Sequence, residues 1–208
     1  MMFYGFRPMR KKIIIAVLLL VLAALSALIA WHYWTHRYDT LIATVAQKHN
    51  LDPLLVKAIV YEESFFSPRA RSSQNAVGLM QVTPVVVQEL MEATHSRTLP
   101  QAIAVVSGDA PPPTQSSVDE ALSDPGTSLH VGCWYLQTLL TRYYDEPDML
   151  AVALAAYNAG PANVERWASN TDRARLSRED FINRIQFPVT RDYVNKIIQR
   201  YDHYRGGP

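Results

Sequence analysis

Eighteen consecutive residues, Ile13 to Ala30, carry no charge, and no other feature narrows the possible folds of this chain so far. As a helix at about 1.5 Å per residue the run spans roughly 27 Å, close to the hydrocarbon thickness of a bilayer. Arg7, Arg10, Lys11 and Lys12 precede it, so the positive-inside rule leaves the N-terminus in the cytoplasm. Trp31, Tyr33 and Trp34 follow directly, as an interfacial aromatic belt does. The expected organisation is a basic cytoplasmic N-terminus at 1–12, a transmembrane anchor with its belt at 13–34, and a domain at 35–208. The anchor is a single pass through the cytoplasmic (inner) membrane, and the domain faces the periplasm or cell exterior. A cleaved signal peptide is the competing reading, because Ala24-Leu25-Ser26 loosely fits a small-x-small cleavage site. The length of the run and the aromatic belt favour a retained anchor.

The remainder has room for one domain of ordinary size. With 20 basic and 19 acidic residues the net charge is +1, which gives no global field for nucleic acid. Cys133 is the sole cysteine. No intrachain disulfide can form, so packing alone must hold the domain. On a predicted helix beside Trp134 and Leu136, Cys133 reads as a buried, inert thiol.

Helical signals dominate. A short helix is expected from Tyr38 to Lys48. Asp52 and Pro53 then supply an N-cap and a first helical position. The helix they open, Leu54 to about Ser64, is apolar around most of its circumference and therefore buried. Met80 to Glu92 reads as another helix. Residues 93–124 read as a long loop with at most a helical turn near 101–106; the run Pro111-Pro112-Pro113 lies within it. Leu99, Ile103, Val105 and Val106 give this loop an apolar handle, so it is expected to act as a mobile flap or to dock an envelope partner, or else to be a tolerated insertion. Asp124-Pro125 opens the next helix, with Leu129, Cys133, Leu136, Leu140 and Tyr143 at helical spacing. Asp148 caps an almost wholly apolar segment, Met149 to Tyr157, which Gly160-Pro161 ends. Thr190 is the expected cap of the last helix. No segment alternates with period two, and the fold class is all-α.

Two adjacent carboxylates, Glu62 and Glu63, close the Leu54–Ser64 helix. At 100° per residue Glu63 falls between Ile59 and Val56, and Glu62 between Ala58 and Leu55. Both lie on the apolar arc, so periodicity does not choose between them. A carboxyl group desolvated there holds its proton toward neutral pH and can donate it. Ser64 follows Glu63, then a Pro/Ser-rich loop containing Ser72, then Gly78-Leu79-Met80-Gln81. Further on stand Ala156-Tyr157-Asn158-Ala159-Gly160 and the block Phe187 to Val194.

In this order the blocks resemble the soluble lytic transglycosylase catalytic domain, a lysozyme-like helical family that cleaves bacterial peptidoglycan. The resemblance covers about residues 38–205 apart from the long loop. It selects Glu63, the glutamate followed immediately by Ser64, as the catalytic acid. It also implies that Ser72 lines the site, that Gln81 faces the sugar cleft, that Tyr157 points at the catalytic carboxylate, and that Tyr193 walls the cleft. Ser64, Gly78, Leu79, Met80, Asn158 and Gly160 are then structural motif residues. The chain departs from many relatives at Val189, where they carry Glu, and at Thr83, where some carry Met.

The implied reaction cleaves the bond between N-acetylmuramic acid and N-acetylglucosamine and leaves a 1,6-anhydro end, with one carboxylate serving as acid and then base. Two alternatives stand beside it: goose-type lysozyme hydrolysis of the same bond, and a non-catalytic tethered wall-binding module. No metal or organic cofactor is implied. His32 and His36 lie four apart without a third ligand, His49, His95, His130 and His203 are scattered, and no HExxH, P-loop or Rossmann pattern occurs. Arg191, Lys196, Arg200 and Arg205 on the last helix read as a solvated face.

Overall fold

Aspartate caps fix where several helices begin. Asp52 accepts from the Leu54 amide at 2.8 Å, Asp124 from Thr127 at 2.8 Å and Asp148 from Ala151 at 3.0 Å. Each such cap contributes about 1 kcal/mol. The computed structural model describes residues 7–108, 118–168 and 177–206. Among these are eleven helices: α1 (Arg7–His36), α2 (Asp39–Lys48), α3 (Pro53–Ser64), α4 (Pro84–Ala93), α5 (Leu99–Ser107), α6 (Val118–Leu122), α7 (Pro125–Arg142), α8 (Met149–Ala159), α9 (Pro161–Ala168), α10 (Arg178–Arg184) and α11 (Pro188–Tyr204). No strand occurs among the described residues; isolated bridges pair Val77 with Arg71 and Val82. The fold is all-α.

Two compact units divide between Tyr38 and Asp39. The first holds α1, whose apolar side chains from Ile13 to Ile29 are at least half exposed. By length and composition it can cross a membrane.

In the second unit α8 is the central element. Residues 151–156 are all buried, and α7, α9, α10 and α11 pack around them. Its alanines let these helices approach closely. α3 lies between α2 and α11, with Val56, Ala58, Ile59 and Val60 fully buried.

Three features differ from the sequence reading. The segment 93–124 is not one long loop, because α5 and α6 lie within it; residues 109–117 fall outside the described part. Thr98 caps α5 through the Gln101 amide, and Gly108 closes it in the left-handed conformation. Leu99 and Ile103, half of the expected apolar handle, are buried in the domain, whereas Val105 is 62% exposed. Second, α4 starts at Pro84 rather than Met80: Gln81 has φ +46°, a left-handed turn that no helix passes through. Third, α11 starts at Pro188, two residues before Thr190.

Candidate active site

The end of α3 is set by backbone geometry. Phe65 and Phe66 both take positive φ, 49° and 59°, an uncommon choice for bulky residues. The turn stops the helix directly after Glu63 and Ser64. Ser64 Oγ then donates to the Leu79 carbonyl at 2.9 Å and to its own helix at Val60, 3.1 Å.

The loop at Gly78–Gln81 is held by hydroxyls from three helices. Besides Ser64 of α3, Ser128 Oγ of α7 accepts from the Met80 amide at 3.2 Å, and the Tyr157 hydroxyl of α8 donates to the Met80 carbonyl at 2.9 Å. Close packing explains two glycines. A Cβ on Gly78 would meet the Leu122 carbonyl at 2.2 Å, and one on Gly132 would meet Met80 Sδ at 2.5 Å. Met80 also touches Cys133, whose buried thiol is pushed well up by desolvation. Backbone polar groups that secondary structure leaves open are thus paired, and the loop is fixed to the core.

Glu62 and Glu63 part company here. Glu62 takes a forked ion pair from Arg200. Glu63 has no cation partner among the described residues; its Oε1 accepts from the Tyr193 hydroxyl at 2.6 Å. Burial raises its pKa to about 7, the Tyr193 hydrogen bond pulls it down, and the Glu62 charge pushes it up. Burial first, then the Glu63 charge, holds both Tyr157 and Tyr193 well above the ordinary tyrosine range, so both remain neutral donors. A protonated carboxyl near neutral pH, oriented by a neutral hydroxyl, is equipped for general acid chemistry.

A cleft of about 260 Å³ runs between the α4 and α8 ends, lined by Gln81, Thr83, Glu89, Tyr135, Tyr157 and Asn158 among others. Glu63 is not among the residues that line it; Tyr157 lines it and feels the charge of Glu63. A second hollow of about 220 Å³ along α11, lined by Lys196, Gln199, Arg200 and His203, contains none of the expected site residues.

The expected residues fall as follows. The hydroxyl on Glu63 belongs to Tyr193, not Tyr157, whose hydroxyl donates instead to the Met80 carbonyl. Gln81 lines the cleft, and its amide nitrogen donates to the Ala70 and Gly78 carbonyls at 3.0 and 3.1 Å. Ser72 is turned into its own loop, where its Oγ accepts from the Gln74 and Ala76 amides, so it braces the turn. Asn158 accepts from Thr190 at 2.7 Å, joining α8 to α11, and Gly160 ends α8 at φ +86°. Val189 is 75% exposed.

Sequence reasoning missed Ser128, Tyr135 and Glu89, which no local motif marks, and it read Arg200 as part of a solvated face, whereas packing of α11 on α3 pairs it with Glu62 and leaves it 27% exposed. It also missed that His49 and His130 meet, buried, at 3.2 Å; burial and the neighbouring ring lower His49 to about 4. Among the described residues no group of three or more His, Cys, Asp or Glu could hold a metal ion.

With this geometry in hand, comparison with known proteins is specific. The Transglycosylase SLT domain profile matches residues 40–178, well over half of the chain, and the chain belongs to that family. It is 28% identical over 189 residues to the soluble lytic murein transglycosylase of Escherichia coli, covering 88% of this chain and 26% of that protein. It is also 28% identical to the membrane-bound lytic murein transglycosylase E of Buchnera aphidicola, covering 77% of this chain and 64% of that protein. The crystal structure of the 70-kDa soluble lytic transglycosylase from Escherichia coli superposes with a TM-score of 0.64 at 26% identity, over 82% of this chain and 25% of the other. The chain thus spans about a quarter of the length of the first curated relatives it matches.

Proposed function

We propose that this chain is a membrane-anchored lytic transglycosylase that cuts peptidoglycan strands with Glu63 as its single acid and base. The observation that carries this reading is the divergent environment of the two carboxylates. Glu62 is ion-paired with Arg200, whereas Glu63 is desolvated, oriented by Tyr193 and raised to about 7. The names of the relatives, lytic murein transglycosylases both soluble and membrane-bound, support the substrate class.

In the reaction Glu63 gives its proton to the oxygen joining N-acetylmuramic acid to N-acetylglucosamine, and that C–O bond breaks. The substrate's acetamide assists departure. The carboxylate then takes the proton from the muramic C6 hydroxyl as its oxygen bonds to C1, closing the 1,6-anhydro ring and returning Glu63 to its acid form. Gln81 and Tyr157 border the sugar cleft and Tyr193 orients the acid; Ser72 supports the loop between them. Residues 13–34 form the anchor in the cytoplasmic membrane, and the basic flank at 7–12 sets the orientation that places 35–208 outside the cytoplasm.

Mass spectrometry of purified walls digested by the full chain in detergent tests the reading. Anhydromuramyl ends support it. Reducing ends would mean lysozyme-type hydrolysis, and undigested walls a binding module.

A further inference from the structure

The chemistry above uses neither Glu62 nor Arg200, yet their pairing is closely built. Arg200 donates to Glu62 Oε1 through Nε at 2.8 Å and Nη2 at 2.6 Å. Its guanidinium carbon lies 3.3 Å from the centroid of the Tyr61 ring. Both side chains are shielded, 27% exposed for Arg200 and 14% for Glu62. An ion pair this shielded is weak evidence for stabilisation, since desolvating two charges offsets much of their attraction. Its position is more informative: α11 reaches the last turn of α3 twice, placing a neutral hydroxyl on Glu63 and a cation on the carboxylate beside it.

We propose that Arg200 is a positioning residue for the active site, acting through Glu62: its fork holds the charge beside Glu63 in one place and at one strength. The inference rests on Glu63 being the acid. The groups that face Glu63 are Tyr193 from α11, Tyr157 from α8 and Glu62 on its own helix. From α2, Asp39 engages Lys57, six residues back along α3. Both tyrosines are held neutral. Glu62 is therefore the charged neighbour that raises Glu63, and Arg200 is what limits how far. Glu63 donates only while protonated, so this pair adjusts a pH limit that burial chiefly sets.

Titration of the Glu63 carboxyl by carbon-13 NMR in the full chain in detergent, identified by its loss in Glu63→Gln, tests this without substrate. It stays decisive even if no wall is cleaved, so failure of the enzymatic reading and failure of this one are separable. Removing a nearby charge shifts a carboxyl by about 0.5–1 unit at this level of shielding. Glu62→Gln is expected to lower the Glu63 midpoint by that amount, and Arg200→Gln to raise it by a similar amount. In the Glu62→Gln background Arg200→Gln is expected to have little effect. Arg200→Lys, which keeps the charge and loses the fork, should fall between wild type and Arg200→Gln; it also substitutes if Arg200→Gln does not fold. The basic limb of the cleavage pH profile should move in the same directions. Equal shifts from Arg200→Gln with and without Glu62, or no opposition in sign between the two single variants, would overturn the proposal.

Discussion

Replacing Tyr193 by Phe keeps the buried ring and removes one atom, the hydroxyl that donates to Glu63 Oε1 at 2.6 Å. Hydrogen bonds to charged groups contribute about 1.5–3 kcal/mol, and one pKa unit corresponds to about 1.4 kcal/mol. Loss of the bond therefore raises the Glu63 carboxyl by about 1–2 units. Desolvation already holds it at about 7, with Tyr193 opposing, so the variant should titrate near 8–9, roughly speaking. In the proposed reaction Glu63 acts as the protonated acid, so activity is expected to persist below its pKa and to fail above it. The basic limb of kcat/KM should move to higher pH by that shift, while the maximum falls because the acid is less well oriented and less acidic. The assay is release of wall fragments between pH 5 and 10, a range chosen to bracket the roughly 1–2 unit shift. A basic limb that stays in place or moves to lower pH refutes the reasoning.

Other outcomes follow from the same geometry. Glu63→Gln should stabilise the protein at alkaline pH: a folded-state pKa raised from 4.5 to about 7 leaves wild type fully stable below 4.5 and weakened progressively as pH rises through 7. The gain should reach at most about 3 kcal/mol above that range and vanish at low pH, which thermal melts at the two extremes will read. Tyr157→Phe strips the donor from the Met80 carbonyl, an orphaned acceptor costing about 1–3 kcal/mol; the melting temperature should fall while the basic limb stays put, the opposite pattern to Tyr193→Phe. Deleting residues 1–30 should yield a soluble, active domain, because Asp39 onward forms its own compact unit; a truncated chain active only in detergent contradicts this.

Much of the fold was legible because it is written locally. Asp52-Pro53, Asp124-Pro125 and Asp148 each announce a helix start through a cap that needs only neighbouring residues, and α8 was recognisable as central from its apolar circumference. The misread parts depend on tertiary contacts. α5 needs the burial of Leu99 and Ile103 to outweigh the proline-rich surroundings. Gln81 is left-handed because the neighbouring Met80 is clamped by Ser128 and Tyr157, 48 and 77 positions away in sequence. The site shows the same division. Glu63 and Ser64 were legible as a pair, but helical period could not separate Glu63 from Glu62. The separation comes from α11, which delivers Tyr193 to one and Arg200 to the other across more than a hundred residues. The resemblance implied that Tyr157 points at the carboxylate; that its hydroxyl finds the Met80 carbonyl instead is a matter of packing that no motif encodes.

The central claim, that Glu63 and not Glu62 carries the chemistry, is tested most directly by digesting purified walls with Glu63→Gln and Glu62→Gln side by side and weighing the fragments. Glu63→Gln should still fold and bind walls but lose cleavage by at least about 10²–10⁴-fold. Glu62→Gln should still release fragments lighter by one water than hydrolysis gives. An inactive Glu62→Gln beside an active Glu63→Gln would contradict the account.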